Sequence, residues 1–354
     1  MIRVSFALLC ALCGACTATG YVAQAGLGQL DLFARARDID EVLDDPNIDV
    51  RKRKLLMEVS LVLRYARARG LKDKGNYRKY VDLPRGAVVW FTAAAPELSL
   101  EPKEWSFPIV GSFTYLGWFD FVRAMKFRRS LERDGYDVYL RGVRAYSTGG
   151  WFRDPILSTM LPYRDDHGTW YLVNVLFHEL THANVLVNDQ STFNESVASF
   201  VGDMMAREYL RDRFGAGSEE AKAFEEELEE DKVRGAMLTA AYKELETLYA
   251  GNRSRAAKLA AKRRIMTRVE SELGLRSTPN NAMMAGFRTY NEGLKEFGQL
   301  YAHCGRDWER FLSVVRTIDE DDFPEEQVDD IGPVIAKRLS RPCAGHAGRS
   351  GASR

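Results

Sequence analysis

The run "YLVNVLFHELTHANVLVNDQSTFNESVASFVGDMMA", residues 171–206, decides how this chain is read. Its first half is apolar and carries His178, Glu179 and His182, the pattern H-E-x-x-H. On an α-helix, positions i and i+4 share a face, so two imidazoles one turn apart can bind one zinc ion. Glu179 is offset around the helix, so its carboxylate can reach the water on such a metal without ligating it. Zinc lowers the pKa of that water, and the glutamate takes the proton as the water attacks. The pattern fixes only three positions and so also arises by chance. Against chance, the flank "WYLVNVLF" reads as a buried helix, where two histidines and a glutamate are costly unless occupied. The chain has five histidines, and two stand at this spacing.

A catalytic zinc takes three protein ligands and keeps one position open. Glu195 is the candidate third ligand. Val185 to Val187 leave the first helix, Asn188-Asp189 make a turn, and a second helix begins. Thr192 and Glu195 also have capping-box spacing, so Glu195 could instead serve the helix start. The pattern N-E-x-x-A (Asn194, Glu195, Ala198) opens an otherwise apolar helix and favours the ligand. Ala198, Ser199 and Gly202 lie on or near the Glu195 face and would let the two helices pack closely.

Outward from this core, the chain reads as α+β and mostly helical, with a two-helix zinc site, a small antiparallel sheet and a long αα-hairpin. Helices are expected in "LGQLDLFARARDIDEVL" and "VRKRKLLMEVSLVLRYARARG". Strands are expected in "YRKYVDL", "GAVVWFTAAAP", "WSFPIVGSFTYLGWF" and "YDVYLRGVRAYSTGGW", with a helix at "FDFVRAMKFRRSLERDG". Gly149 and Gly150 mark a bulge or a close backbone approach. The sheet-containing part covers about 75–160, the zinc helices about 168–213 and the charged hairpin about 217–274, broken at Gly251-Asn252. Helices at 278–340 complete one domain over 31–341, and a disordered tail follows at 342–354.

Composition narrows the rest. Lys plus Arg equals Asp plus Glu, 50 each, so no global charge points to nucleic acid. Apolar residues at 45% permit a sizeable core. The start, "MIRVSFALLCALCGACTATG", has a basic residue and then a short apolar stretch, and reads as a signal peptide over 1–15. "LCGAC" has lipobox form, with Gly14 and Ala15 before Cys16, although Cys13 stands where leucine is commoner. Lipidated Cys16 and a flexible tether over 16–30 would anchor the exported protein in the cell envelope through acyl chains; the alternative is a plain secretory signal. Cys304 and Cys343 then remain, either as a disulfide in an oxidising compartment or as free thiols.

With these residues in place the chain resembles the gluzincin metallopeptidases, whose two-helix site is HExxH followed by a glutamate in an N-E-x-x-A-like helix. It resembles more closely a bacterial lipoprotein family described as zinc aminopeptidases. The lipobox, "GYVAQAGLGQLDLF", "STGGWFRDPILSTML" and "FHELTHANVLVNDQSTFNES" carry that likeness, over most of the chain after Cys16. It departs in one respect: only twelve residues, 183–194, separate His182 from Glu195, fewer than in thermolysin-like enzymes. The resemblance implies a zinc-dependent peptide-bond hydrolase with one Zn2+ per chain, a peptide or protein substrate and aminopeptidase action. It also implies an edge strand beside the zinc helix. "VYLRGVRAYSTGG" is the candidate, with Gly149 and Gly150 admitting a peptide backbone. An oxyanion donor is expected at Tyr290, with His303 as rival. Asp154 and Glu292 are candidates for the acid that binds an α-amine. His167 reads as a loop histidine. Two alternatives stay open: an envelope endopeptidase, and a non-catalytic lipoprotein scaffold with a structural metal site.

Overall fold

The computed structural model describes residues 20–107, 111–162 and 168–343. The signal peptide, Cys16, His167 and the tail after Cys343 lie outside the described residues. Helix α1 (20–35) leads into strand β1 (Arg37–Asp38) and helices α2 (Ile39–Leu43) and α3 (Val50–Ala68). Then come β2 (Lys79–Val81), β3 (Val89–Pro96), β4 (Trp105–Phe107), β5 (Gly111–Phe113) and β6 (Tyr115–Trp118). Helix α4 (Phe121–Arg133), β7 (Tyr136–Val143) and β8 (Ile156–Leu157) precede the paired helices α5 (Gly168–His182) and α6 (Ser191–Phe214). The hairpin is α7 (Glu219–Ala250) and α8 (Arg255–Leu273). Four helices close the chain: α9 (Asn281–Asn291), α10 (Leu294–His303), α11 (Trp308–Val315) and α12 (Gly332–Leu339).

The expected α+β class and mostly helical content are found, with three corrections. First, residues 20–30 are not a tether. They are helical, and α1 covers the outer edge of β6. The Tyr21 hydroxyl accepts from Gly117 N at 3.1 Å, and Gln24 bridges Gly117 O and Phe119 N. The small residues that read as flexible are what let the helix sit close: a Cβ on Gly28 would stand 2.1 Å from Cγ of Phe119, a clash. Second, the strands form three small sheets rather than one. The main sheet is antiparallel with order β6-β3-β7, β4 pairs with β5, and β2 pairs antiparallel with β1 and parallel with β8. Third, the main sheet packs chiefly on α4 and α9 rather than on the helix bearing the HExxH.

Register explains that placement. In β3, Trp90 and Ala94 turn with Leu116, Trp118 and Val138 toward α4. Phe91 and Ala93 share the opposite face with Tyr115, Tyr139 and Arg141, by pairings Phe91↔Arg141, Ala93↔Tyr139 and Ala93↔Tyr115. This second face looks toward α9 and Glu195.

The principal core is helical. Leu55, Leu56, Val59, Val62 and Leu63 of α3 pack with Leu172, Val173, Leu176, Phe177 and Leu180 of α5. Val197, Val201 and Met205 of α6, and Phe297 and Phe311 behind them, complete it. Asp49 caps α3 by accepting from Lys52 N at 2.9 Å, one of the helix's unpaired N–H groups. The hairpin α7–α8 buries its own smaller cluster against Leu100 and Met284. Its outer faces are solvated, as its charge predicts. Cys304 and Cys343 are joined by a disulfide with Cα atoms 5.2 Å apart, tying the chain after α12 to the end of α10. No described helix is long and apolar enough to cross a membrane.

Candidate metal centre

Helix α5 presents His178 and His182 one turn apart, with ring centroids 5.0 Å from each other. Helix α6 returns antiparallel and places Glu195 opposite. Glu195 Oε2 lies 3.4 Å from His178 Nε2 and 3.6 Å from His182 Nε2. Those separations are long for good hydrogen bonds, which fall near 2.7–3.2 Å. They match a different geometry. Ligands about 2.0–2.1 Å from a tetrahedral zinc stand about 3.3–3.4 Å from one another. Donor atoms of the three residues all lie within 4.8 Å, and among the described residues no other His, Cys, Asp or Glu joins the group. The chemistry of the donor set, two imidazoles and a carboxylate, therefore fits a divalent ion such as zinc.

The turn between the helices holds this arrangement. Asn194, next to Glu195, accepts from Val187 N at 2.8 Å and donates to Val187 O at 2.7 Å. Asp189 takes a positive φ of 56°, and its carboxylate accepts from Ser112 N. Thr192 does not cap α6; Gln190 precedes the helix and makes no side-chain cap. Glu195 is thus freed from the capping role and buried facing the histidines. Close approach depends on Gly202: a Cβ there would stand 3.3 Å from His178 Cβ and 3.4 Å from Asn174 O. This is the small-residue contact read from the α6 pattern.

Electrostatics follow from burial and charge. Burial alone would raise the Glu195 carboxyl, but His182 and His178 outweigh it and hold it well below the carboxylate range. Glu195 in turn raises His182, against the lowering effect of burial. Glu179 is not a member of the donor group. Burial lifts its pKa, which the two imidazoles partly offset. A carboxyl so placed is suited to exchanging protons.

Two tyrosines close the site. Tyr290 on α9 lies 6.4 Å from the His178 ring, roughly parallel to it, and burial followed by the Glu195 charge pushes its hydroxyl pKa up. The rival His303 is elsewhere, at the end of α10 and bonded to Arg341 O at 2.9 Å. Sequence reasoning missed Tyr115. Its hydroxyl donates to Glu195 Oε1 at 2.7 Å, across 80 residues of chain. Nothing local to "TYLGW" signals this; the register of β6 does. It also missed Asp203, which accepts from Asn174 Nδ2 at 2.8 Å and is raised to about 6 by burial, with His178 opposing. Asp203 stands two turns beyond Glu195, so helical periodicity carried that signal.

Other expected site residues fall differently. Gly149 and Gly150 are not on the edge strand, because β7 ends at Val143. They occupy positive φ, 62° and 85°, and pack on the turn after α5, against Leu186 and Ala183. Asp154 is buried and fully engaged, accepting from Thr148 N, Thr148 Oγ1 and Ser147 Oγ. Glu292 ends α9 and pairs with Arg288 at 3.3 Å. Neither presents a free carboxylate to the metal group.

The family model described as "Putative aminopeptidase" matches residues 20–328. The chain belongs to that family. No curated protein and no solved structure matches the chain. Aminopeptidase-family membership makes the chain a peptide-bond hydrolase by class, acting on peptide substrates. The family match begins at α1, which agrees with the docked rather than tethered state of that helix.

Proposed function

We propose that this chain is a zinc-dependent peptidase in which His178, His182 and Glu195 hold the metal and Glu179 is the general base. The observation that carries the reading is the ligand-like spacing of Glu195 Oε2 from both imidazole nitrogens, 3.4 and 3.6 Å. Bound there, zinc would supply a Lewis acid that polarises the scissile carbonyl and acidifies water. Glu179, raised by burial, accepts the proton of the attacking water and returns it to the leaving amine. Tyr290, held neutral by its raised pKa, donates a hydrogen bond to the developing oxyanion. Tyr115 fixes the Glu195 carboxylate, as outer partners of metal ligands commonly do. Strand β7 has no strand partner on its outer side among the described residues, and would align an extended peptide. In the proposed setting the protein is exported and anchored at the envelope through lipidated Cys16.

The test is metal content and peptide hydrolysis together. The wild type is expected to hold about one zinc per chain by the three-ligand rule. Glu195→Gln is expected to lose the metal, and Glu179→Gln to keep it while losing hydrolysis. Full zinc in Glu195→Gln would remove that ligand. Full activity in Glu179→Gln would remove the base.

A further inference from the structure

Two cations stand beside the metal group with no ion-pair partner among the described residues. Arg141 lies on β7 directly opposite Phe91, its guanidinium 5.1 Å from the Phe91 ring centre. That ring stacks on Tyr115 at 4.8 Å, and Tyr115 holds Glu195. Arg144, just past the end of β7, sits 5.6 Å over the ring of Tyr171. Tyr171 is seven residues before His178 on α5, so it shares the metal face two turns away. The charges of both arginines reach the Tyr171 hydroxyl, and that of Arg141 reaches Tyr290 as well. Both arginines are exposed, and among the described residues neither has a carboxylate within ion-pairing distance. An exposed arginine is ordinarily just solvated. These two are seated on aromatic rings, which limits the directions they can take. The two acids weighed for amine binding do not balance them: Asp154 is satisfied internally and Glu292 is paired with Arg288.

We propose that Arg141 and Arg144 form a carboxylate-recognising mouth beside the metal centre, so that the enzyme selects peptides presenting a free carboxylate close to the cleaved bond. This rests on the peptidase reading above. The carboxylate is either the C-terminus of a short peptide or an Asp or Glu side chain. A guanidinium binds either through paired N–H donors.

The experiment compares four matched peptides: C-terminus free or amidated, and Glu or Gln beside the cleavable bond. They are assayed on the zinc-loaded wild type and on Arg141→Gln, Arg144→Gln and Arg141→Lys, with folding checked by circular dichroism. The carboxylate peptide is expected to have the lower KM, by about tenfold, the low end for a hydrogen bond to a charged group. That ratio should collapse in the Gln variants and persist in part in Arg141→Lys. The arm that shows the preference, C-terminus or side chain, identifies the source. Equal KM for charged and neutral peptides in an active wild type would overturn the mouth and leave the peptidase standing. If no peptide is cleaved, binding of the same peptides to the Glu179→Gln protein, read by calorimetry, decides the mouth separately. Arginine-dependent binding of the carboxylate peptides supports it, and its absence overturns it.

Discussion

Replacing Tyr115 by Phe removes one oxygen from the proposed zinc site and little else. The ring remains, so its stack on Phe91 at 4.8 Å is kept and no cavity opens. What is lost is a 2.7 Å hydrogen bond from the hydroxyl of a half-buried tyrosine to a buried carboxylate. A hydrogen bond to a charged group contributes about 1.5–3 kcal/mol, and leaving Glu195 Oε1 without a partner places the cost in that range. In the metal-free protein this lowers the melting temperature by several degrees, at about 2–4 °C per kcal/mol for a domain of this order of size. In the metal-bound protein the carboxylate also loses its orientation, and outer partners of this kind typically carry about 10–100-fold in metal affinity. Tyr115→Phe is therefore expected to bind zinc about 10–100-fold more weakly, equivalent to about 1.4–2.7 kcal/mol. Competition against a chelator of known affinity measures this directly, and melts with and without zinc give the stability arm. An unchanged zinc affinity in a natively folded Tyr115→Phe would refute the reasoning that this hydroxyl positions a metal ligand.

Three further perturbations probe different parts of the molecule. A side chain at position 202 must displace His178 or Asn174, whose atoms stand 3.3–3.5 Å from the added Cβ. Overpacking costs about 1–3 kcal/mol and helix propensity returns up to about 1 kcal/mol for Ala, so Gly202→Ala should fold with reduced zinc affinity. Gly202→Leu should separate the helices and lose the metal, which elemental analysis would show. Asp203 has a folded pKa of about 6 against an ordinary 3.8. Its folded state binds the proton more tightly, so its stabilising contribution is complete below the ordinary value and is lost as pH rises through about 6. That loss amounts to about 3 kcal/mol at 1.36 kcal/mol per unit. Asp203→Asn should flatten this part of the metal-free stability profile between pH 4 and 7, and a profile parallel to the wild type would contradict the burial argument. The Cys304–Cys343 bridge closes a separation of 39 residues. Chain entropy for a loop of that length gives about 4 kcal/mol, so Cys304→Ser should lower the urea midpoint markedly, with a somewhat steeper slope as the unfolded chain is released.

Much of the candidate metal centre was legible because it is local. His178, Glu179 and His182 follow from helix period alone, and Glu195 from the N-E-x-x-A pattern, its rival capping role being removed only when Gln190 proved to precede the helix. The hairpin and α4 were legible from charge, caps and periodicity. The N-terminal segment misled for a physical reason. Small residues in "GYVAQAGLGQL" mean flexibility in an isolated chain, but they mean close approach when a partner such as Phe119 is present. The glycine pair misled similarly. A bulge or a close backbone approach was expected, and Gly149 and Gly150 do approach another part of the chain closely, at positive φ, yet they serve the turn after α5 rather than a substrate strand.

The candidate ligand set, its helical carriers and the class of fold could all be read from the sequence, because each rests on spacing within about one element. Only the tertiary structure decided that the sheet reaches the metal group through Tyr115 and α9, and that Asp154 and Glu292 are spent elsewhere. It also decided that Arg141 and Arg144 are seated on the Phe91 and Tyr171 rings, with no carboxylate partner among the described residues. Those facts depend on strand register and helix packing, where one residue of slip reverses every side chain, and no local pattern encodes them.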